Sequence, residues 1–120
     1  MAITALLTVK RQIWMLAEDT VFIYDPDTDK IVNKLPLGAK FTYADWQIAW
    51  NAGSMVESNG YVYIYANDTK TTNLYRVNIS KPESVELIRK GESGMLKVDA
   101  DGNIYMVNEE EIVKYNMPLQ

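Results

Sequence analysis

The sequence predicts an all-β chain of three successive four-stranded antiparallel repeats, the third lacking its outer strand. Three observations predict it. First, Ile13-Trp14-Met15-Leu16-Ala17-Glu18-Asp19-Thr20-Val21-Phe22-Ile23-Tyr24-Asp25 aligns without a gap to Ile104-Tyr105-Met106-Val107-Asn108-Glu109-Glu110-Glu111-Ile112-Val113-Lys114-Tyr115-Asn116. A third copy lies between them, from Val62-Tyr63-Ile64-Tyr65 to Leu74-Tyr75-Arg76-Val77-Asn78. Second, alternation of period two runs through these segments, as in Tyr61, Tyr63 and Tyr65 against Val62 and Ile64. Such alternation marks strands, and here both faces are apolar or aromatic. Third, Gly and Asn-Gly signals fall between the strands, where the backbone needs positive φ.

The first repeat, about residues 1–38, has an apolar strand at Leu6 to Val9 and a turn at Lys10-Arg11-Gln12. Two paired strands follow over Ile13 to Asp25. The turn Pro26 to Lys30 leads to an outer strand, Ile31 to Leu37. An insertion at 39–53 contains Tyr43 to Trp50, read as a turn of helix. The second repeat, about 54–90, opens at Ser54 to Glu57 and turns at Ser58-Asn59-Gly60. Its paired strands are joined by a longer turn, Ala66 to Asn73. Ser80 to Glu83 then leads to an outer strand, Ser84 to Arg89. The third repeat, about 91–120, has Met95 to Val98, a turn at Asp99 to Asn103, and the paired strands ending at Asn116. Met117-Pro118-Leu119-Gln120 follows with no outer strand, and Met1 to Thr4 is too short to supply one.

The closing residues Asp25, Asn78 and Asn116 recur at a mean interval of about 45 residues, the length of a propeller blade. Strands buried on both faces are expected when blades stack face to face. Val98-Asp99-Ala100-Asp101-Gly102-Asn103-Ile104-Tyr105 resembles the strand–turn–strand signature of NHL, SMP-30-like and two-component-regulator propeller repeats. Val21-Phe22-Ile23-Tyr24-Asp25-Pro26-Asp27-Thr28-Asp29-Lys30-Ile31-Val32 resembles the third-to-fourth strand turn of YVTN, PQQ and kelch-type blades. The resemblance implies β-propeller blades over nearly the whole chain. It carries no activity across, because these families include enzymes and pure scaffolds. No catalytic or cofactor residue of those enzymes has a counterpart at a matching position.

Composition narrows the function classes. Twelve basic residues against sixteen acidic ones give a net charge of −4. That predicts neither nucleic acid nor an anionic membrane as partner. Cysteine and histidine are absent. Disulfides, thiolate metal sites and Ser-His-Asp or Cys-His catalysis are therefore excluded within the chain. No run reaches the ~18 apolar residues of a spanning helix. The opening residues lack the basic region of a signal peptide and read as a strand. No cofactor is expected, and the compartment is left unassigned.

Three candidate sites stand out. Asp25, Asp27 and Asp29 alternate as hard-cation ligands do, but the Gly-x₅-Glu continuation of a calcium loop is missing. A turn held by Pro26 and Asp side chains is the preferred reading there, and again at Asp99-Ala100-Asp101-Gly102-Asn103. The third candidate is the aromatic segment with Tyr43, Trp46 and Trp50, paired with the 66–73 loop carrying Asn67, Asp68 and Lys70. In propellers these two connections open on the same face. Aromatic rings flanked by amides and carboxylates suit a sugar, whereas core packing of Trp46 and Trp50 is the alternative.

The expected function is a non-enzymatic binding or scaffold module, completed by self-association or by the remainder of a longer propeller. Three blades fall below the ~4–8 of closed rings and would leave apolar faces uncovered. The alternatives are a glycan-binding, lectin-like propeller and a fragment of a larger propeller enzyme. The expected partners are thus a second copy, a protein or a glycan.

Overall fold

A computed structural model of the chain describes residues 3–38, 54–67, 72–90, 95–107 and 110–116. Among these residues all regular structure is β. Sheet 1 holds β1 (Ile3–Val9), β2 (Gln12–Ala17), β3 (Thr20–Asp25) and β4 (Lys30–Pro36). Sheet 2 holds β5 (Ser54–Ser58), β6 (Tyr61–Asn67), β7 (Thr72–Asn78) and β8 (Val85–Lys90). Sheet 3 holds β9 (Met95–Val98), β10 (Ile104–Val107) and β11 (Ile112–Lys114). Each is an antiparallel meander in chain order. The helical turn expected within 43–50 lies outside the described residues.

Turn chemistry sets the hairpins. Asn59 and Gly60 both have positive φ, 52° and 85°, as an Asn-Gly two-residue connection requires. Lys10 and Glu18 take the same left-handed conformation at the other two tight connections. β1 begins at Ile3, three residues earlier than the alternation suggests. The reason is a register shift between Ile3 and Ala5, which breaks the two-residue period. Two further shifts, between Ile23 and Tyr24 and between Leu74 and Tyr75, give the outer strands β4 and β8 an extra residue each.

The sheets pack face to face, with β1 against β5 and β5 against β9. Sheet 2 is the middle layer, and β6 shows why its sequence is apolar at both parities. Val62, Ile64 and Ala66 join Trp14, Leu16, Val21, Ile23 and Leu35 of sheet 1 in one core. Tyr63 and Tyr65 join Leu96, Ile104 and Met106 of sheet 3 in a second. Each fully buried large side chain contributes about 1.5–3 kcal/mol of transfer free energy. A one-residue slip of β6 would exchange the two sets, so both cores fix its register.

Two serines on β5 pin sheet 2 to sheet 3. The Leu96 N–H donates to Ser54 Oγ at 3.0 Å, and that hydroxyl donates on to the Leu96 carbonyl at 3.4 Å. The Ser58 hydroxyl donates to the Gly102 carbonyl. Both serines are buried. The buried Leu96 backbone of β9 and the Gly102 carbonyl in the turn after it thereby find side-chain partners.

Candidate interaction surfaces

The turns use their carboxylates locally. Asp25 accepts the Asp27 N–H at 2.9 Å, the Asx turn that presets the Pro26 connection. Asp29 has a φ of 56° and accepts a hydrogen bond from the Tyr24 hydroxyl. Asp27 faces Arg11 at 3.5 Å in the open, where such a pair contributes about 0–1 kcal/mol. The three carboxylates therefore serve three different partners. Among the described residues no group of three acidic, His or Cys side chains is placed to hold a metal ion.

Asp99 is the most heavily bonded side chain of the turns. It accepts the backbone N–H groups of Asn103 and Asp101, both at 2.9 Å. It also accepts Asn103 Nδ2 at 3.1 Å and the Tyr105 hydroxyl at 2.9 Å. The backbone bond from Asn103, then its side-chain bond, holds the carboxyl down at about 2, against an ordinary value of 3.8. The same pairing pushes the Tyr105 phenol up, through its hydrogen bond to Asp99. A depressed carboxyl stabilises the fold above its unfolded value and loses that contribution as pH falls from about 4 through 2. Asp99→Asn is expected to flatten that acid limb, which a series of melting temperatures between pH 5 and pH 2 reads directly.

Among the described residues, no sheet covers the outer faces of sheets 1 and 3, and each exposes large apolar side chains beside polar ones. On sheet 1, the register aligns Leu6, Met15, Phe22 and Lys34 in one row, and Thr8, Ile13, Tyr24 and Ile31 in the next. Leu6 is 63% exposed, and Lys34 Nζ sits 5.9 Å above the Phe22 ring. On sheet 3, one row is Met95, Val107 and Ile112, and the other Lys97, Tyr105 and Lys114. Met95 is 54% and Ile112 72% exposed. Contiguous apolar rows of this kind mark interaction sites on soluble proteins.

A polar cluster occupies the outer half of the junction between sheets 2 and 3. Arg76 pairs with its cross-strand neighbour Glu86 at 2.6 Å, and its guanidinium lies 4.6 Å from the Tyr61 ring centre. Tyr61 in turn packs on Tyr63, ring centres 6.2 Å apart. These groups contact one another along the edge of the core.

Of the sugar-site candidates, Tyr43, Trp46, Trp50, Asp68 and Lys70 lie outside the described residues. Asn67 ends β6 opposite Thr72. Ser54, where β5 begins, pairs with Tyr65, so the 39–53 and 68–71 segments join sheet 2 at the same end. The sequence led to the expectation of uncovered apolar faces without naming their rows, although a signal for the rows exists. Strands apolar at both parities in the first and last sheets of a stack must leave one apolar face over. Ser54 and Ser58 carry no such signal, because a serine in a strand reads as solvent-facing. In comparisons with known proteins, no family model matches the chain and no curated protein does.

Proposed function

We propose that the chain is a non-enzymatic binding and scaffold module made of β-propeller blades, completed by association with further copies of itself. The observation that supports it best is the pair of outer faces at the two ends of the stack, which no sheet covers among the described residues and which expose Leu6, Met95 and Ile112. Sheet 1 ends the stack in Leu6, Met15 and Phe22, and sheet 3 ends it in Met95, Val107 and Ile112. The blade reading draws on inner strands β1, β5 and β9 lying side by side, with each meander running outward from them. Blades of a propeller are arranged in this way around their axis.

Light scattering across a concentration series tests the proposal. The expected solution mass at high concentration is a multiple of the 13.7 kDa chain. A folded monomer at every concentration overturns it. Turnover of a glycoside or ester that is lost in Asp45→Asn or Asp68→Asn overturns the non-enzymatic part.

A further inference from the structure

We infer that the partner of the sheet 3 outer face is the sheet 1 outer face of a second copy. Two copies then dock head to tail at two identical junctions, closing a ring of six sheets. This rests on the self-association reading above and specifies its geometry.

The inference comes from register. The gapless match of the first and third copies makes Trp14 equivalent to Tyr105 and Leu16 to Val107, and the strand before the longer turn of the middle copy aligns Tyr63 and Tyr65 with them. Strand pairing extends the match to whole rows. Leu7–Trp14–Ile23, Val56–Tyr63–Arg76 and Lys97–Tyr105–Lys114 are the same three-strand row in successive sheets. In sheet 1 that face packs on sheet 2, and in sheet 2 it packs on sheet 3. In sheet 3 it is the uncovered face.

The opposite faces obey the same rule in reverse. Leu6–Met15–Phe22, Met55–Ile64–Tyr75 and Leu96–Met106–Val113 are one row. It receives sheet 1 in sheet 2, and receives sheet 2 in sheet 3. In sheet 1 it is uncovered. Among the described residues the chain thus contains two junctions that join the same pair of faces in the same direction, together with one unused half of each kind. Sheet 3 of one copy on sheet 1 of another reproduces a junction already made twice. Pairing like with like, sheet 1 on sheet 1 or sheet 3 on sheet 3, has no precedent in the molecule.

Charge disfavours one of the like-with-like pairings. The sheet 3 face carries Lys97 and Lys114 on either side of Tyr105. The sheet 1 face carries Lys34 over the Phe22 ring, and Tyr24 bonded to the Asp29 carboxylate of the adjoining turn. Two sheet 3 faces would set four lysines against one another, and like-charge juxtaposition disfavours that pairing. A head-to-tail contact closes only when the rotation returns to the start. Two copies give six sheets, inside the ~4–8 blades of closed propellers, whereas three give nine.

Leu6→Glu and Ile112→Glu test the geometry by sedimentation velocity. Both positions are exposed, so each variant keeps the wild-type far-UV spectrum. The wild type is expected at twice 13.7 kDa, and each variant alone at 13.7 kDa, because every homotypic junction then contains one altered face. An equimolar mixture is expected to regain a dimer population, since one of its two junctions joins two unaltered faces. A mixture that stays monomeric overturns the inference. Dissociation by only one of the two variants also overturns it in favour of a like-with-like contact, while self-association stands. Mass growing without limit with concentration overturns ring closure. A monomeric wild type removes the self-association reading itself.

Discussion

Trp14→Ala is expected to lower the unfolding free energy by about 3–5 kcal/mol, the range for removing a large buried aromatic. Trp14 is 1% exposed at the centre of β2, paired with Leu7 on one side and Ile23 on the other. Its indole stands among Met55, Ile64 and Tyr75 in the core that holds sheet 1 to sheet 2. Small domains have only about 5–15 kcal/mol in total, so the variant loses a large share of it. Trp14→Phe keeps most of the volume and is expected to cost less than half as much. Thr8→Ala, an exposed neighbour on the opposite face, is expected to stay within about 0.5 kcal/mol. Urea midpoints at constant slope give all three values, measured at low concentration so that association does not contribute. Equal costs for Trp14→Ala and Thr8→Ala would mean that β2 sits in another register.

That contrast also shows why so much of the fold was legible. Period-two alternation assigns each residue to a face, and two-faced apolar strands imply layers on both sides. Asn59-Gly60 announces its own turn, because few other pairs accept two left-handed residues in succession. Sheet 2 could be read from Tyr61 to Tyr65 alone. What alternation could not supply is the place where it fails. The opening residues read as a strand, but the shift at Ile3/Ala5 hid that Ile3 to Ala5 belong to the same inner strand as Leu6 to Val9, and Lys10 and Glu18 adopt positive φ without any glycine to signal it.

The candidate sites were less legible for a different reason. Alternating carboxylates are equally the pattern of a cation loop and of an Asx turn. Only distances separate the two: Asp25 reaches Asp27 N, Asp29 meets Tyr24, and Asp27 faces Arg11. That a three-sheet stack leaves apolar faces over was legible, but not which rows form them. Leu6, Met15 and Phe22 have the same character as their buried equivalents Met55, Ile64 and Tyr75. Position in the stack, rather than residue type, decides which set is covered. One pattern therefore recurs in covered and exposed faces alike, and residue type alone does not tell them apart.

Gly102→Ala is expected to be the most damaging change in a turn, at about 2–3 kcal/mol, the sum of a left-handed backbone penalty and one lost hydrogen bond. Gly102 has a φ of +86°, and a Cβ there would stand 3.1 Å from Ser58 Oγ and 3.3 Å from Asn59 Nδ2. The glycine thus meets two demands at once. It lets the Asp99 turn close, with Gly102 N–H donating to the Asp99 carbonyl at 3.1 Å, and it lets that turn approach β5. Gly60 separates the two demands, since its φ is +85° with nothing within 4 Å of the Cβ position. Gly60→Ala should therefore show the backbone penalty alone, about 1–2 kcal/mol. Ser58→Ala removes both the clash and the bond to the Gly102 carbonyl, so its cost and that of Gly102→Ala should not add. A double-mutant cycle measured by denaturation gives the coupling, expected near 1 kcal/mol for one net hydrogen bond. Zero coupling, with Gly102→Ala no worse than Gly60→Ala, would mean that sheets 2 and 3 do not meet at this turn. The inner-strand contact would then be too loose to serve as the pattern for a junction between copies.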